Sequence, residues 1–249
     1  MAKTEKSATG KPSAGEAKTD KTSTGMNKTG LYIFAALAVL AVAAGVYFNL
    51  DTGKPGDGDL ATALMVPGPL EDISLGRADA PNTIIEYASM TCGHCANFHT
   101  KVFPELKEKY IDTGQVRFIL REFPLDGLAT AAFMVARCSG NDRYYPMVDG
   151  LFETQKTWAV QGAEGKEKLL LVAKQAGFSQ ERFDQCLADK ELFDKIVEVR
   201  QRGHEEFEVD STPTFFINGK RLRGGQDIKQ FDTVLAGGEP EELPHDDDD

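Results

Sequence analysis

The sequence predicts an α/β fold that contains an inserted helical domain and is preceded by a single N-terminal transmembrane helix. Three observations support this prediction. An uncharged apolar run extends from Leu31 to Leu50, which is as long as a bilayer-spanning helix requires. Strand-like apolar runs occur before residue 125 and after residue 206, whereas the residues between them have apolar side chains at helical spacing. The tetrapeptide CGHC, at residues 92–95, directly follows one of these strands.

The two ends of the chain are too polar to fold. Residues 1–30 are mostly Lys, Thr, Ser, Gly and Ala, and residues 238–249 are acidic and interrupted by proline. Neither segment can bury enough apolar surface to offset the entropy that is lost on ordering. We therefore expect both to be disordered tails.

The apolar run at residues 31–50 predicts a retained membrane anchor. A secretory signal would have a shorter apolar region and a short basic leader, whereas polar residues 1–30 come first here. The small residues of AVAAG leave a cleaved signal as the alternative, and a buried soluble helix is a third. Lys21 and Lys28 precede the run, which places the N-terminal tail in the cytoplasm and the folded domain across the membrane. On that side, cytosolic reductants do not keep thiols reduced.

The net charge of the chain and the composition of residues 51–237 restrict the classes of partner and identify a linker. The formal net charge is -11, and no cluster of Lys and Arg is visible between residues 80 and 237, which argues against a nucleic-acid partner. Residues 51–70 are rich in Gly, Pro and Asp, a composition that is typical of a flexible linker. We expect the folded domain to begin near Glu71.

A strand–helix–strand unit opens the domain. Strands are predicted at Asp72–Leu75, Thr83–Ala88 and Gln115–Phe123, and a helix is predicted at Cys92–Tyr110. The helix prediction rests on apolar residues at three- and four-residue steps, namely Cys95, Phe98, Val102, Leu106 and Tyr110. Pro104 should kink this helix. Two strands joined by one helix should lie parallel with a right-handed crossover.

A helical segment and a strand–strand–helix unit complete the domain. Residues 125–206 have helix-spaced apolar side chains throughout, with breaks at Gly127, Gly140, Gly162 and Gly177. The last stretch, QERFDQCLADKELFDKIVEVRQRGHEEF, is predicted to be one helical segment. Strands return in TPTFFING and RLRGG, and Asn218-Gly219 between them is a strong hairpin signal. A final helix, DIKQFDTVLAG, closes the domain.

Two thiols two residues apart can hold a metal, form a structural disulfide or exchange electrons. A structural zinc site usually needs four ligands, but the other two cysteines, Cys138 and Cys186, are single and lie in different helical segments. We therefore predict no metal site. A structural bridge between Cys92 and Cys95 would close too short a loop to constrain the unfolded chain much. Thiol exchange is the best interpretation, with metal binding and a structural bridge as the weaker alternatives.

The position of Cys92 favours exchange chemistry. It falls where a strand ends and a helix begins, so free backbone N–H groups and the helix dipole should stabilise its thiolate. Cys95, one turn further, could then resolve a mixed disulfide. The ring of His94 would add a donor and, when protonated, a positive charge, which should lower the pKa of the Cys92 thiol. Alternatively, this ring faces solvent without a role. His99 is predicted to be a surface residue.

These motifs resemble the thioredoxin fold as elaborated in DsbA-type thiol:disulfide oxidoreductases. CGHC at the first helix of a strand–helix–strand unit, a helical insertion, and Thr-Pro before a strand–strand–helix unit occur in that order over about residues 70–237. The resemblance implies a thioredoxin-like domain at 71–124 and 207–237 with a helical insertion at 125–206. It also implies that the Thr212-Pro213 bond is cis and faces the active disulfide, and that the Thr212 backbone binds the substrate chain.

The resemblance further implies that Glu86 is a buried acid that moves protons to and from the resolving thiol of Cys95. A carboxylate in that position would be desolvated, as suits a general base. The alternative is an edge-strand residue that points to water. For Cys138 and Cys186, the oxidising side of a membrane favours a structural disulfide that ties two helices together, with two free buried thiols as the alternative.

The function that the resemblance implies is the introduction of disulfide bonds into exported proteins, without a cofactor. Its partners would be reduced or unfolded exported proteins and a DsbB-like membrane partner for reoxidation. The domain would face the periplasm from the inner membrane. Gly93 stands where strongly oxidising relatives have Pro, so a periplasmic reductase or isomerase remains an alternative, as does a non-catalytic module that binds metal or thiols.

Overall fold

The computed structural model describes residues 57–160, 162–224 and 227–240. The predicted N-terminal tail, the predicted membrane helix at 31–50 and the start of the predicted linker lie outside these residues, as do residues 241–249. Within the described ranges, no helix is both long enough and apolar enough to cross a membrane.

A five-stranded sheet forms the centre of the domain. The spatial order of its strands is β1-β3-β2-β4-β5. They are β1 (Ser74–Leu75), β2 (Asn82–Ala88), β3 (Val116–Glu122), β4 (Thr214–Ile217) and β5 (Lys220–Arg223). Strands β2 and β3 run parallel, and the other three neighbouring pairs run antiparallel. The predicted strand–helix–strand unit is therefore confirmed.

The predicted hairpin is also confirmed. Asn218 and Gly219 join β4 to β5 with φ angles of 51° and 90°. Both angles lie in the left-handed region, which a two-residue hairpin turn needs at both central positions and which Asn-Gly tolerates best. The Asn218 side chain also accepts a hydrogen bond from the Thr83 backbone N–H at 2.9 Å, so the turn is attached to the start of β2.

The helix after β2 changes its winding along its length. It consists of α2 (Gly93–Asn97), a π-helical turn (Phe98–Val102), α3 (Phe103–Leu106) and a second π-helical turn (Lys107–Ile111). The prediction of one uniform helix from Cys92 to Tyr110 is therefore wrong in detail. Pro104 is the second residue of α3, and the first π-helical turn ends two residues before it. The change of winding therefore lies next to the residue that cannot donate a backbone N–H to an α-helical ladder.

The predicted helical insertion is present, with two more breaks than expected, at Thr154 and at Asp189. Its helices are α4 (Gly127–Cys138), α5 (Asn141–Glu153), α6 (Gln155–Trp158), α7 (Ala163–Gln175), α8 (Gln180–Ala188) and α9 (Lys190–Phe207). The last predicted segment divides at Asp189, whose side chain accepts a hydrogen bond from the Leu192 N–H at 3.0 Å. This cap begins a new helix, because it satisfies a backbone donor that would otherwise be unpaired. The final helix, α10 (Ile228–Leu235), begins with a capping box.

Apolar clusters pack on both faces of the sheet. Consecutive residues of β2 alternate between them: Ile84 joins the larger cluster, which includes the helices of the insertion, and Ile85 joins a smaller one. The smaller cluster contains Leu64, Tyr87, Ile119, Phe123, Phe207, Val209 and Phe216. This alternation is the period-two pattern of a central strand that is buried on both faces.

The predicted linker is wrong from residue 57 onward, because an additional helix, α1 (Asp57–Met65), packs against the domain. Leu64 of α1 is only 1% exposed and belongs to the smaller apolar cluster. The buried guanidinium of Arg121 donates a hydrogen bond to the Leu64 carbonyl at 2.7 Å. Leu60 and Leu64 are four residues apart and share a helix face. The Gly, Pro and Asp residues around them nevertheless favour a linker when the segment is judged by its composition.

The two cysteines of the insertion form a disulfide. Cys138 ends α4, Cys186 lies in α8, and their Cα atoms are 6.2 Å apart. The bond closes a sequence separation of 48 residues. Free thiols at these two positions, which were the alternative, are not what the structure shows.

Candidate active site

The free thiols lie at the end of the central strand. Cys92 is the N-cap of α2, and its sulfur accepts a hydrogen bond from the Cys95 backbone N–H at 3.3 Å. Both Cys92 and Cys95 are reduced and buried, with exposures of 8% and 0%. The end of β2 positions Cys92, and the first turn of α2 supplies the backbone N–H groups that face its sulfur.

The two thiols have opposite acidities. A hydrogen bond from the Cys95 thiol, helped by the Thr212 side chain and by the backbone N–H groups of Cys95 and His94, lowers the pKa of Cys92 from 9.0 to about 6 against the opposing effect of burial. Burial, together with the Cys92 thiol and the charges of Cys92 and Glu86, raises the pKa of Cys95 well above its ordinary value. At neutral pH, Cys92 is therefore a thiolate and Cys95 a thiol.

His94 acts differently from the prediction. Its side chain is exposed, and its effect on the pKa of Cys92 comes from its backbone N–H. The sequence predicts that the imidazole supplies this effect, and the structure assigns it to the backbone instead. A backbone donor is the stronger constraint, because the start of the helix fixes its direction regardless of the side chain.

Glu86 is fully buried in β2, between β3 and β4. The alternative of an edge-strand residue that points to water is therefore wrong. One carboxylate oxygen, Oε2, lies 2.8 Å from Nε2 of His99, and the carboxylate charge contributes to the raised pKa of Cys95. The charge of Glu86 thus acts on the resolving thiol, while a role of Glu86 in moving protons stays a prediction.

The prediction that His99 is a surface residue is wrong. Its side chain is 1% exposed, and its ring stacks on Phe152 of α5 with ring centroids 4.3 Å apart. His99 follows Cys95 by four residues and therefore shares its face of the helix. This spacing was readable from the sequence, but the partner Glu86 comes from a strand and was not.

The Thr212-Pro213 peptide bond is cis and directly precedes β4, as the resemblance implied. The Cys92 thiol donates a hydrogen bond to the Thr212 carbonyl at 3.2 Å. The fold therefore brings a loop 120 residues away into contact with the reactive sulfur. When Cys92 is a thiolate it has no proton to donate, and this carbonyl becomes available to another donor.

Gln155 is a site residue that the sequence reasoning missed. From α6 of the insertion, its buried side-chain amide donates to the carbonyls of Met90 and Cys92, at 2.9 and 2.8 Å. These bonds hold both sides of the turn that leads into CGHC. A lone Gln on a short helix has no sequence signal, because its role depends entirely on the loop that the fold places opposite it.

A polar cleft of about 470 Å³ lies beside this turn. Its lining includes Thr91, Leu125, Asp126 and Val160. Thr91 donates a hydrogen bond to the Asp126 side chain at 2.6 Å, which connects the active-site turn to the start of α4. Leu125 is 53% exposed. Within the described residues, no cluster of three or more His, Cys, Asp or Glu side chains could hold a metal ion.

Comparisons with known proteins are consistent with this geometry. Residues 70–236 match the Thioredoxin family. A putative protein-disulfide oxidoreductase of Rickettsia bellii is 32% identical over 149 residues, which are 59% of this chain and 57% of the relative. The probable disulfide bond formation protein D of Bacillus anthracis is 27% identical over 199 residues, 76% of this chain and 87% of the relative. The chain thus spans little more than half the length of the rickettsial protein.

Solved structures give the same result. The crystal structure of Wolbachia pipientis α-DsbA1 superposes with a TM-score of 0.65 at 34% identity, covering 71% of this chain and 94% of that protein. Oxidised BdbD of Bacillus subtilis superposes with a TM-score of 0.59 at 24% identity, covering 67% of this chain and 91% of that protein. The second likeness shows the fold alone.

Proposed function

Since the chain belongs to the DsbA-type disulfide oxidoreductases of the thioredoxin family, we propose that it introduces disulfide bonds into exported proteins through Cys92 and Cys95. The observation that supports this most strongly is the opposite acidity of the two thiols. Cys92, which is 8% exposed at the start of a helix, ionises easily, whereas Cys95 is fully buried and holds its proton. Cys92 therefore exchanges with the substrate, and Cys95 exchanges with Cys92.

The proposed reaction begins with the Cys92–Cys95 disulfide. A substrate thiolate attacks the sulfur of Cys92, the bond to Cys95 breaks, and its electron pair remains on Cys95, which takes up a proton with help from Glu86. A second substrate thiolate then attacks the substrate sulfur of the mixed disulfide and releases Cys92 as a thiolate. The substrate loses two electrons and gains a disulfide, and the protein becomes the dithiol. Release is favourable because the pKa of Cys92 is about 6, and a less basic thiolate leaves faster.

We propose that the cis-proline loop holds the substrate chain. The Thr212 carbonyl already accepts a hydrogen bond from the Cys92 thiol, so a substrate backbone N–H can take that place once the sulfur is oxidised or ionised. Pro213 lacks a backbone N–H and therefore cannot donate a hydrogen bond to the substrate. The cleft beside Thr91 provides room for residues that flank the substrate cysteine.

We also propose that the domain faces the periplasm from the inner membrane, anchored by residues 31–50, and that a DsbB-like membrane partner reoxidises it. Two observations support this. The uncharged run of residues 31–50 is long enough to span a bilayer. The disulfide between Cys138 and Cys186 is typical of a compartment outside the cytosol. Protease protection of the domain in spheroplasts and whole cells would test this placement.

Stoichiometric disulfide transfer tests the proposed activity. The oxidised full chain in mild detergent would be mixed with reduced, unfolded ribonuclease A without oxygen, and substrate thiols would be counted after acid quenching. We expect two substrate thiols to disappear for each protein molecule, and Cys92→Ser to abolish the transfer. Cys138→Ser is the matched control, because it removes a cysteine distant from the exchange site. Transfer that depends on Cys138 but not on Cys92 would contradict the proposal.

A further inference from the structure

The buried side chains of Glu86 and His99 lie within hydrogen-bonding distance of each other, and the exchange reaction does not by itself explain how protons reach them. This inference rests on the proposed function. Each catalytic cycle adds a proton to Cys95 and later removes it, yet Cys95 and Glu86 are both 0% exposed. A carboxylate without contact with water can transfer one proton but cannot renew it. A further group must connect Glu86 with solvent.

His99 is in the right place to make this connection. Its Nε2 lies 2.8 Å from Glu86 Oε2, with side-chain exposures of 1% and 0%. Its second ring nitrogen, Nδ1, is buried and has no hydrogen-bond partner. An imidazole can accept a proton at one nitrogen and release it from the other. Stacking against Phe152 and contact with Phe103 hold the ring in this orientation.

Asp149 provides the end of the path. It lies in α5 one turn before Phe152, the residue that stacks on His99, and it is half-buried. Burial raises the pKa of Asp149, and the nearby His99 lowers it, so the charge on Asp149 depends on its neighbour His99. Glu153 and Lys107 are the other charged groups that act on Asp149. A half-exposed carboxyl can exchange protons with water directly.

The other titratable group near Glu86 cannot serve. Tyr145 is 4% exposed and its hydroxyl is already occupied, because it donates to the Ile73 carbonyl at 2.8 Å and accepts from the Leu120 N–H at 3.1 Å. Burial raises its pKa far above the ordinary value for tyrosine. It would not release a proton at any physiological pH.

We propose that His99 relays protons between Glu86 and Asp149, and so couples the buried thiol of Cys95 to solvent. When Cys95 leaves the disulfide as a thiolate, Glu86 delivers a proton to its sulfur, His99 returns a proton to Glu86, and Asp149 or water restores His99. Reoxidation runs the same path in reverse. No electrons move through the relay. His99 is a positioning residue in this scheme, since it acts on the sulfur only through Glu86.

His99→Gln is the decisive variant, because the Gln amide can still donate a hydrogen bond to Glu86 but cannot carry a proton. The rate of reduction of the Cys92–Cys95 disulfide by excess dithiothreitol would be followed by fluorescence of Trp158, the only tryptophan in the chain. Trp158 lies in α6 with Gln155, which contacts the active-site turn. His204→Gln, at an exposed position in α9, is the matched control.

We expect His99→Gln to slow this reduction by on the order of tenfold, less than a full general acid–base effect of about 100-fold or more because Glu86 remains. Proton delivery should become rate-limiting in the variant. D₂O should therefore slow the variant by a larger factor than it slows the wild type. The equilibrium with glutathione should stay within about twofold, since a relay changes rates and not end states. His204→Gln should match the wild type in all three measurements.

A His99→Gln protein that folds and reacts at the wild-type rate, with the wild-type isotope effect, would overturn the relay and leave His99 as a packing residue. If His99→Gln does not fold, Asp149→Asn, at the solvent end of the relay, tests the proposal instead. A slower reaction with a larger isotope effect would support the relay, and wild-type kinetics would refute it. Failure of the proposed function looks different, because the wild type itself would then transfer no disulfide to a reduced protein.

Discussion

Replacing Cys95 by Ala should raise the pKa of Cys92, because it removes the largest single cause of its acidity. The hydrogen bond from the Cys95 thiol heads the contributions that bring this pKa from 9.0 to about 6. That difference corresponds to about 4 kcal/mol of thiolate stabilisation. The backbone N–H groups of Cys95 and His94 remain in the variant, so we expect a rise of about one unit or more rather than a full return.

Thiolate absorbance at 240 nm, measured against pH, provides the assay. In the reduced wild type it should show a step near pH 6 from Cys92, since Cys95 titrates well above its ordinary range and the Cys138–Cys186 disulfide does not titrate. In Cys95→Ala the step should move to higher pH. Cys92→Ser is the control and should lack the step. A wild-type step near pH 9, or an unchanged step in Cys95→Ala, would refute the reasoning.

The same shift predicts how the stability of the reduced protein depends on pH. The folded pKa of Cys92 is lower than the unfolded one, so the stabilisation is fully present above about pH 9 and is lost as pH falls through about 6. At pH 7 it amounts to about 1.4 kcal/mol, or about 30 mV in favour of the reduced form. Urea unfolding of the reduced protein at several pH values measures it, and the oxidised protein should lack this dependence.

Three further predictions concern the surroundings of the site. Gln155→Leu leaves two buried carbonyls without their amide donor, so urea unfolding should show a loss of about 1–3 kcal/mol and disulfide transfer should slow; unchanged transfer would exclude a role in positioning Cys92. Replacing both Cys138 and Cys186 by Ala should cost about 4 kcal/mol by the chain-entropy relation for a 48-residue separation, while a loss of transfer with full stability would reverse the assignment of the two cysteine pairs. Leu64→Ala should cost about 2–5 kcal/mol if α1 belongs to the folded domain, and a change near zero in the unfolding midpoint would return that segment to a linker.

Features with a local cause were predictable from the sequence. The Asn218-Gly219 hairpin follows from the backbone preferences of two residues. The position of Cys92 at the start of a helix follows from the change of apolar period around CGHC. The burial of Glu86 could not be predicted from the strand alone, because a Glu in an apolar strand is compatible with a strand at the edge or at the centre of a sheet. The fold decides this by placing β2 between β3 and β4.

Features that depend on distant partners were not predictable. The burial of His99 is stabilised by Glu86 and Phe152, which lie 13 and 53 positions away along the chain. Gln155 acquires its role only because the insertion packs against the active-site turn. The helix α1 was missed for another reason: its single apolar face is short, and its flanking residues are typical of linkers. In each case, tertiary packing decided what local composition could not.

The reduction potential of the Cys92–Cys95 couple tests the central claim most directly. The full chain in mild detergent would be equilibrated with glutathione buffers at pH 7, and its free thiols trapped and counted, with Cys138→Ala/Cys186→Ala as a control for the second pair. A disulfide donor should have a potential between about -120 and -180 mV, the range from DsbA to protein disulfide isomerase. A potential near about -270 mV, as in thioredoxin, would contradict the account and identify a reductase that needs an electron-supplying partner.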